Sequence, residues 1–210
     1  MRTLLKSRWT KAAVFVLSLG PLVFLLRGFQ TDALGPNPIE YITRATGDWT
    51  MRFLLISLAI TPARRLFGFS ELINFRRMLG LFAFFYGVLH LTTWVWLDKF
   101  FDVHEMLADV LKRRFITAGM VGFSLLIPLA ITSTKGWIRR LGKNWTRLHR
   151  LVYISAVAGV IHYWWLVKSD IRQPLLYGVI LAVLLGLRLW KARRAPVVKP
   201  VPRGSSLSTS

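Results

Sequence analysis

The chain carries four histidines, His90, His104, His149 and His162, and no cysteine. Imidazole ligates metals and moves protons near neutral pH, and an ionisable side chain inside a membrane helix marks a functional site. His90 falls in the apolar run Met78–Leu97, and His162 in the run Leu151–Val167. His90 lies 13 residues beyond a basic boundary at Arg77, and His162 lies 12 beyond Arg150. At 1.5 Å per helical residue, both imidazoles stand about 18–20 Å from the same membrane edge. Two histidines at one depth, on helices that run the same way, can hold one iron axially. The missing cysteines exclude disulfides, iron–sulfur clusters, thiolate zinc sites and covalent c-type haem. A non-covalently bound haem is the group that suits the pair.

The surroundings of the two histidines match. One reads Gly87-Val88-Leu89-His90, the other Gly159-Val160-Ile161-His162. A glycine three residues earlier lies one turn down on the same face, where it is expected to leave room for a flat macrocycle. Glycine also serves close helix packing in membranes. The flanking aromatics Tyr86, Trp94, Trp96, Tyr163, Trp164 and Trp165 suit a cofactor pocket or an interfacial belt. His149 stands 13 residues before His162, about 20 Å along a helix, a spacing for two stacked haems. Thirteen residues do not return to the same helical face. The matching place on the other helix, 14 residues before His90, is Arg76. His149 is therefore either a ligand of a second haem or an interfacial histidine on a propionate, a flavin phosphate or lipid. Arg76 and Arg77 offer guanidinium forks for carboxylate or phosphate. They could hold haem propionates or the phosphate of flavin mononucleotide (FMN), or serve as membrane anchors. Arg139, Arg140, Lys143 and Arg147 present the same choice. His104, in the outer loop Asp98–Arg114, is expected in solvent without a metal role.

These residues need elements to place them. The 210 residues are 54% hydrophobic and 18% charged, yet the formal net charge is +20. Mean hydropathy is +0.46. The charge comes in bursts between apolar runs, the pattern of a membrane protein rather than the basic face or stripe of a nucleic-acid binder. Six runs are present: Ala12–Leu26, Trp49–Ile60, Met78–Leu97, Phe115–Ser133, Leu151–Val167 and Pro174–Trp190. A spanning helix needs ~20 apolar residues, so the first two must borrow flanking residues. Arg52 sits one turn inside the second, which is expected to start deeper in the chain and to continue past Pro62. The first run also fits a signal peptide, but no small-residue cleavage site follows Leu26.

Alternating loops place 20 basic residues and one acid, Glu71, on one side, and 9 basic residues and eight acids on the other. The positive-inside rule makes the first side cytoplasmic. Only the cluster Lys112-Arg113-Arg114 opposes this. The expectation is an all-α, six-helix transmembrane bundle with both termini cytoplasmic. Residues 1–11 form the N-terminus, 12–190 the transmembrane haem domain and 191–210 a basic, disordered cytoplasmic tail. Loops are too short to hide a soluble domain, and no dinucleotide fingerprint or P-loop is present. Electrons must then come from an external donor.

Several stretches carry a family resemblance. They are Gly35-Pro36-Asn37-Pro38-Ile39-Glu40, Gly47-Asp48-Trp49, Thr61-Pro62-Ala63-Arg64-Arg65, Phe75-Arg76-Arg77-Met78-Leu79-Gly80-Leu81, Leu89-His90-Leu91, Ile116-Thr117-Ala118-Gly119-Met120 and Thr132-Ser133-Thr134. The most specific is Trp145-Thr146-Arg147-Leu148-His149-Arg150-Leu151-Val152-Tyr153, followed by His162-Tyr163. With them, the chain from about Gly35 to Trp190 resembles the MsrQ (YedZ) family, within the ferric-reductase-like transmembrane proteins that include NADPH oxidase cores.

The resemblance implies b-type haem and FMN as cofactors, with His90, His149 and His162 in haem-histidine positions. It implies a bacterial inner-membrane electron-transfer subunit. The donor would be a cytoplasmic flavin reductase. The acceptor would be MsrP, a periplasmic molybdopterin methionine-sulfoxide reductase that repairs oxidised envelope proteins. The wider group uses two histidine pairs, and Arg76 stands in one of those four places here. Membrane lipid is the other expected partner, nucleic acid is not one, and no substrate chemistry is expected in this chain alone. The alternatives are a free-standing ferric or quinone reductase of the same fold, and a non-redox transporter or assembly factor. Inverted repeats with broken helices, common in transporters, are not evident.

Overall fold

A computed structural model describes Leu5 and residues 7–193, with side chains as far as Trp190. Among these residues all regular structure is helical. Six helices run for 16 residues or more: α1 (Arg8–Gln30), α2 (Pro38–Phe67), α3 (Ile73–Thr92), α5 (Arg114–Ile131), α8 (Leu151–Leu166) and α9 (Arg172–Arg193). Three shorter ones are α4 (Val103–Lys112), α6 (Lys135–Leu141) and α7 (Lys143–Leu148). Four segments are long and apolar enough to cross a membrane: Arg8–Gln30, Ser70–Asp98, Arg114–Ile131 and Arg172–Trp190. Helix α2 has the length but carries charges, and α8 is slightly short. Of the tail 191–210, expected to be disordered, residues 191–193 continue α9, and residues 194–210 lie outside the described residues.

Each run seen in the sequence becomes a helix, and the second grows most. Helix α2 extends to 30 residues because Asn37 caps its start, accepting the Glu40 N–H at 3.2 Å, with Pro38 in the first turn. It passes through Pro62 and stops at Gly68, whose φ of 71° is left-handed. Proline lacks an N–H, so Pro62 leaves the Leu58 carbonyl without its helical partner. The Arg188 guanidinium of α9 takes that carbonyl at 2.7 Å. Pro21 in α1 has a similar neighbour. There the Tyr86 hydroxyl inserts into the ladder, donating to the Ser18 carbonyl at 2.8 Å and accepting the Leu22 N–H at 3.2 Å.

The closest packing is within two antiparallel pairs, α2 with α3 and α5 with α8. Helix α9 leans on α2 and α8, and α1 rests on α3. A column of rings fills the α2–α3 seam: Phe53 stacks on Tyr86 at 5.4 Å and on Phe82 at 5.6 Å. Between α5 and α8, Gly122 meets Ala158 and Ser155, and the Ser155 hydroxyl donates to the Gly122 carbonyl at 2.8 Å. The outward faces are apolar and open, as on Leu17, Phe24, Ile131, Ile154 and Leu189, which is the inverse of a water-soluble surface and suits lipid.

The run Met78–Leu97 reads as one helix and Asp98–Arg114 as an outer loop. Instead, residues Thr93–Asp98 widen into π-helical geometry, and a turn at Lys99–Asp102 leads into α4. Lys99 anchors this turn. Its ammonium lies 2.5 Å from Glu105 and 2.7 Å from Asp109, and Arg113 reaches Asp109 at 3.0 Å. Hydrogen bonding to Asp109, then to Glu105, holds Lys99 above the usual lysine pKa. Val103, Leu107 and Leu111 form an exposed apolar stripe along α4.

Candidate functional site

His90 is in the last turn of α3, and His162 is near the end of α8. Their rings face each other, with centroids 6.0 Å apart and planes at 80°. Each ring is aimed by the partner helix of its own pair. His90 Nδ1 lies 2.8 Å from the Thr43 carbonyl of α2, and His162 Nδ1 lies 2.6 Å from the Phe115 carbonyl of α5. A carbonyl only accepts, so Nδ1 carries the proton in both rings. The lone pair is left on Nε2, and among the described residues no hydrogen bond reaches either Nε2. A carbonyl on Nδ1 fixes the tautomer of a metal-binding histidine in this way.

A glycine makes each placement possible. A Cβ at Gly47, one turn beyond Thr43, would come within 3.1 Å of the His90 ring. A Cβ at Gly119, one turn beyond Phe115, would come within 2.7 Å of His162 Nδ1. The two halves correspond residue by residue. Thr43, Gly47, Gly87 and His90 become Phe115, Gly119, Gly159 and His162 at a constant offset of 72 residues. In each half, the carbonyl precedes the histidine by 47 residues.

Gly87 and Gly159, the glycines expected to make room for a macrocycle, lie against neighbouring helices. A side chain at Gly87 would meet Phe123 and Thr50, and one at Gly159 would meet the Met51 sulfur at 2.7 Å. They are packing glycines between helices. The signal for Gly47 and Gly119 was present in the sequence as the common offset, and it is invisible to a search for Gly-x-x-His.

The donor set fits a metal that arrives in its own macrocycle. Two metal–imidazole bonds of about 2 Å each, plus the two ring radii, span about 6 Å, the separation seen here. Among the described residues no group of three or more His, Cys, Asp or Glu could hold a bare ion. Helices α3 and α8 touch each other far less than each touches its own partner, so the pair spans a seam between hairpins.

His149 is not on α8. It caps α7, two residues before α8 begins, so the break at Arg150 decouples it from the face of His162. Its ring stacks on Trp145 at 3.9 Å, and its Nδ1 donates to the Trp145 carbonyl at 3.1 Å. Trp145 is itself held by the Thr132 carbonyl at 2.9 Å. His149 Nε2 is buried without a partner. Burial pushes the His149 pKa down, the carbonyls of Trp145 and Leu129 oppose this, and Arg76 adds to it.

Residues 46–160 match the family of ferric reductase like transmembrane components. A protein-methionine-sulfoxide reductase heme-binding subunit MsrQ from Herminiimonas arsenicoxydans is 57% identical over 185 residues, covering 87% of this chain and 85% of that one. The subunit of the same description from Xanthomonas campestris pv. campestris (strain 8004) is 50% identical over 203 residues, covering 91% and 92%. The chain belongs to the MsrQ family. No solved structure matches it.

In this MsrQ-family chain the remaining candidates separate. Arg76 is half-buried and acts electrostatically on His149 and on Arg188. Arg77 points to the exterior. His104 is exposed on α4, as expected, but in a helix rather than a loop.

Proposed function

We propose that the protein binds b-type haem between His90 and His162. We propose further that it carries electrons across a bacterial inner membrane, from a cytoplasmic flavin reductase to MsrP, a periplasmic methionine-sulfoxide reductase. The observation that carries this reading is the close histidine pair, with both Nδ1 protons given to main-chain carbonyls and both Nε2 atoms free of hydrogen bonds among the described residues. MsrQ relatives described as heme-binding, at 50–57% identity, support it.

Bound haem would supply a one-electron iron couple. This chain's residues do the rest. His90 and His162 would hold the iron through their Nε2 atoms. The Thr43 and Phe115 carbonyls accept the Nδ1 protons, making each imidazole a better donor and fixing its rotation. His149 and Arg76 form a second polar site. With Arg77, they would hold an anionic cofactor group, a haem propionate or the phosphate of FMN, or His149 would ligate a second haem. The proposed topology has six spans with both termini cytoplasmic, so that α2 and α8 also cross.

The test is a visible spectrum of the purified protein, oxidised and dithionite-reduced. Wild type should show a low-spin b-type spectrum, which His90→Ala or His162→Ala should each abolish and His104→Ala should leave intact. A normal bis-histidine spectrum in His162→Ala would overturn the pairing.

A further inference from the structure

Helix α4 sits between two segments long and apolar enough to cross a membrane, Ser70–Asp98 and Arg114–Ile131. Only Lys99–Asp102 leads into it and only Arg113 leads out. Such short links cannot carry the helix far from the ends of those spans. It is also tied to the bundle. The Thr117 hydroxyl of α5 donates to the Val110 carbonyl, and the Lys99 ammonium holds Asp109 at 2.7 Å.

The circumference of α4 divides three ways. At about 3.6 residues per turn, Met106, Asp109 and Val110 share the flank against the bundle, where all three are buried or half-buried. His104, Glu105 and Lys112 lie on the opposite flank and are exposed. Between the two flanks runs the stripe Val103, Leu107 and Leu111, with Leu111 85% exposed. A helix lying in the bilayer surface against a bundle meets protein, acyl chains and water in that order around its circumference.

The preceding turn presents the same chemistry. Phe100 and Phe101 hold left-handed φ values of 47° and 63°, which bulky residues rarely adopt. The Phe101 N–H, donating to the Val95 carbonyl at 2.9 Å, fixes this turn. Both residues are open, at 77% and 62% exposure. Five large apolar side chains on one short segment form a patch that water disfavours. The span that follows, α5, is open and apolar at Val121 and Ile131, so lipid already borders the end of α4. A soluble partner would have to reach past the headgroups to cover a stripe at that level.

We propose that α4 and the Phe100–Phe101 turn form an interfacial anchor, with Phe100, Phe101, Val103, Leu107 and Leu111 seated in the boundary between acyl chains and headgroups. Lys112 and Arg114, exposed at the end of the helix, stand at the level of the lipid phosphates, where long basic side chains are favourable. The cluster Lys112-Arg113-Arg114, which opposes the charge rule for orientation, then serves the lipid surface. The anchor also sets the height of Phe115, three residues beyond Lys112, whose carbonyl takes the His162 proton. It needs only that the two flanking segments cross a membrane. Its test does not read haem, so it stands or falls separately from the electron-transfer reading.

The chain has no cysteine, so a single introduced cysteine carries the only nitroxide label. The full chain is reconstituted in vesicles of phosphatidylcholine and phosphatidylglycerol, and collisions with oxygen and with a water-soluble nickel chelate are read by electron paramagnetic resonance. Labels at Val103→Cys and Leu107→Cys should show oxygen-to-nickel ratios near that of Val121→Cys on α5 and well above that of His104→Cys. Phe100→Gly with Phe101→Gly relieves the left-handed backbone but removes both rings, and should raise nickel access at Leu107→Cys. Nickel access at Val103→Cys and Leu107→Cys equal to that at His104→Cys would put the stripe in water and overturn the anchor. Shielding of both labels from oxygen and nickel alike, with dipolar broadening between labels, would overturn it in favour of a second copy of the chain. Unchanged nickel access in the double glycine variant would overturn the role of the turn.

Discussion

At the scale of single residues, the two halves of the histidine site are not equally tolerant. An added methyl at Gly119 would come within 2.7 Å of His162 Nδ1, whereas one at Gly47 would stay 3.1 Å from the His90 ring. The His162 ring cannot simply swing aside, because its Nδ1–H is fixed to the Phe115 carbonyl. Gly119→Ala should therefore disturb the low-spin haem spectrum strongly, and Gly47→Ala only mildly. Equal spectra in both variants would show that the rings are not held as described. His149 gives a second expectation. Its folded pKa lies below the unfolded value of about 6.5. Its contribution to stability is thus present above that value and lost as pH falls through the folded one. In haem-free protein, the unfolding midpoint should fall between about pH 7.5 and pH 5.5, and His149→Leu should flatten that fall.

At the scale of elements, α4 depends on Lys99. Removing its charge in Lys99→Met leaves Glu105 and Asp109 facing each other, with only Arg113 opposite. Glu105 is half in solvent, so the loss is modest, about 1–2 kcal/mol. Amide exchange across Val103–Lys112 should accelerate about tenfold while α5 and α8 stay protected. Unchanged exchange would mean that the apolar stripe of α4 alone holds it down. This helix was hard to read in the sequence because its charges drew attention and its pattern did not. Val103, Leu107 and Leu111 recur at helical spacing, but over too few residues to outweigh a segment that reads as a loop. The six long helices were legible for the opposite reason, since lipid demands long apolar runs and makes each ionisable exception conspicuous. His90 and His162 stood out in that way. The contacts of Gly87 and Gly159 are not legible in the sequence because the direction a glycine faces is set by how the neighbouring helices dock, which sequence distance to a histidine does not encode. The continuation of α2 through Pro62 was anticipated from the position of Arg52; its acceptance of Arg188 was not, because that partner lies 130 residues away.

At the scale of the whole molecule, the charge map gives the proposed electron path a direction. The proposed cytoplasmic side collects 20 basic residues against one acid, and the other side 9 against eight. A focused positive surface speeds the arrival of anionic donors and loses that advantage in salt. In oriented vesicles, reduced FMN or an acidic flavin reductase should reduce the haem faster from the basic side, and rising ionic strength should slow that rate. Reduction from the other side should vary little with salt. Equal rates from both sides would reject the direction.

The main-chain supports of the histidine pair bear on how such a protein can vary. Thr43 and Phe115 have nothing in common as side chains, yet each supplies the same carbonyl to its imidazole. A backbone oxygen is present whatever residue is encoded, so substitutions at those two positions leave the support in place. Alanine scanning leaves both carbonyls in place and so misses this support, although at Phe115 it also removes a ring that lies 6.0 Å from that of His162. Inheritance can rewrite the visible lining of the site while the part that aims the rings stays constant. Selection on that part falls instead on Gly47 and Gly119, where the requirement is that nothing be added.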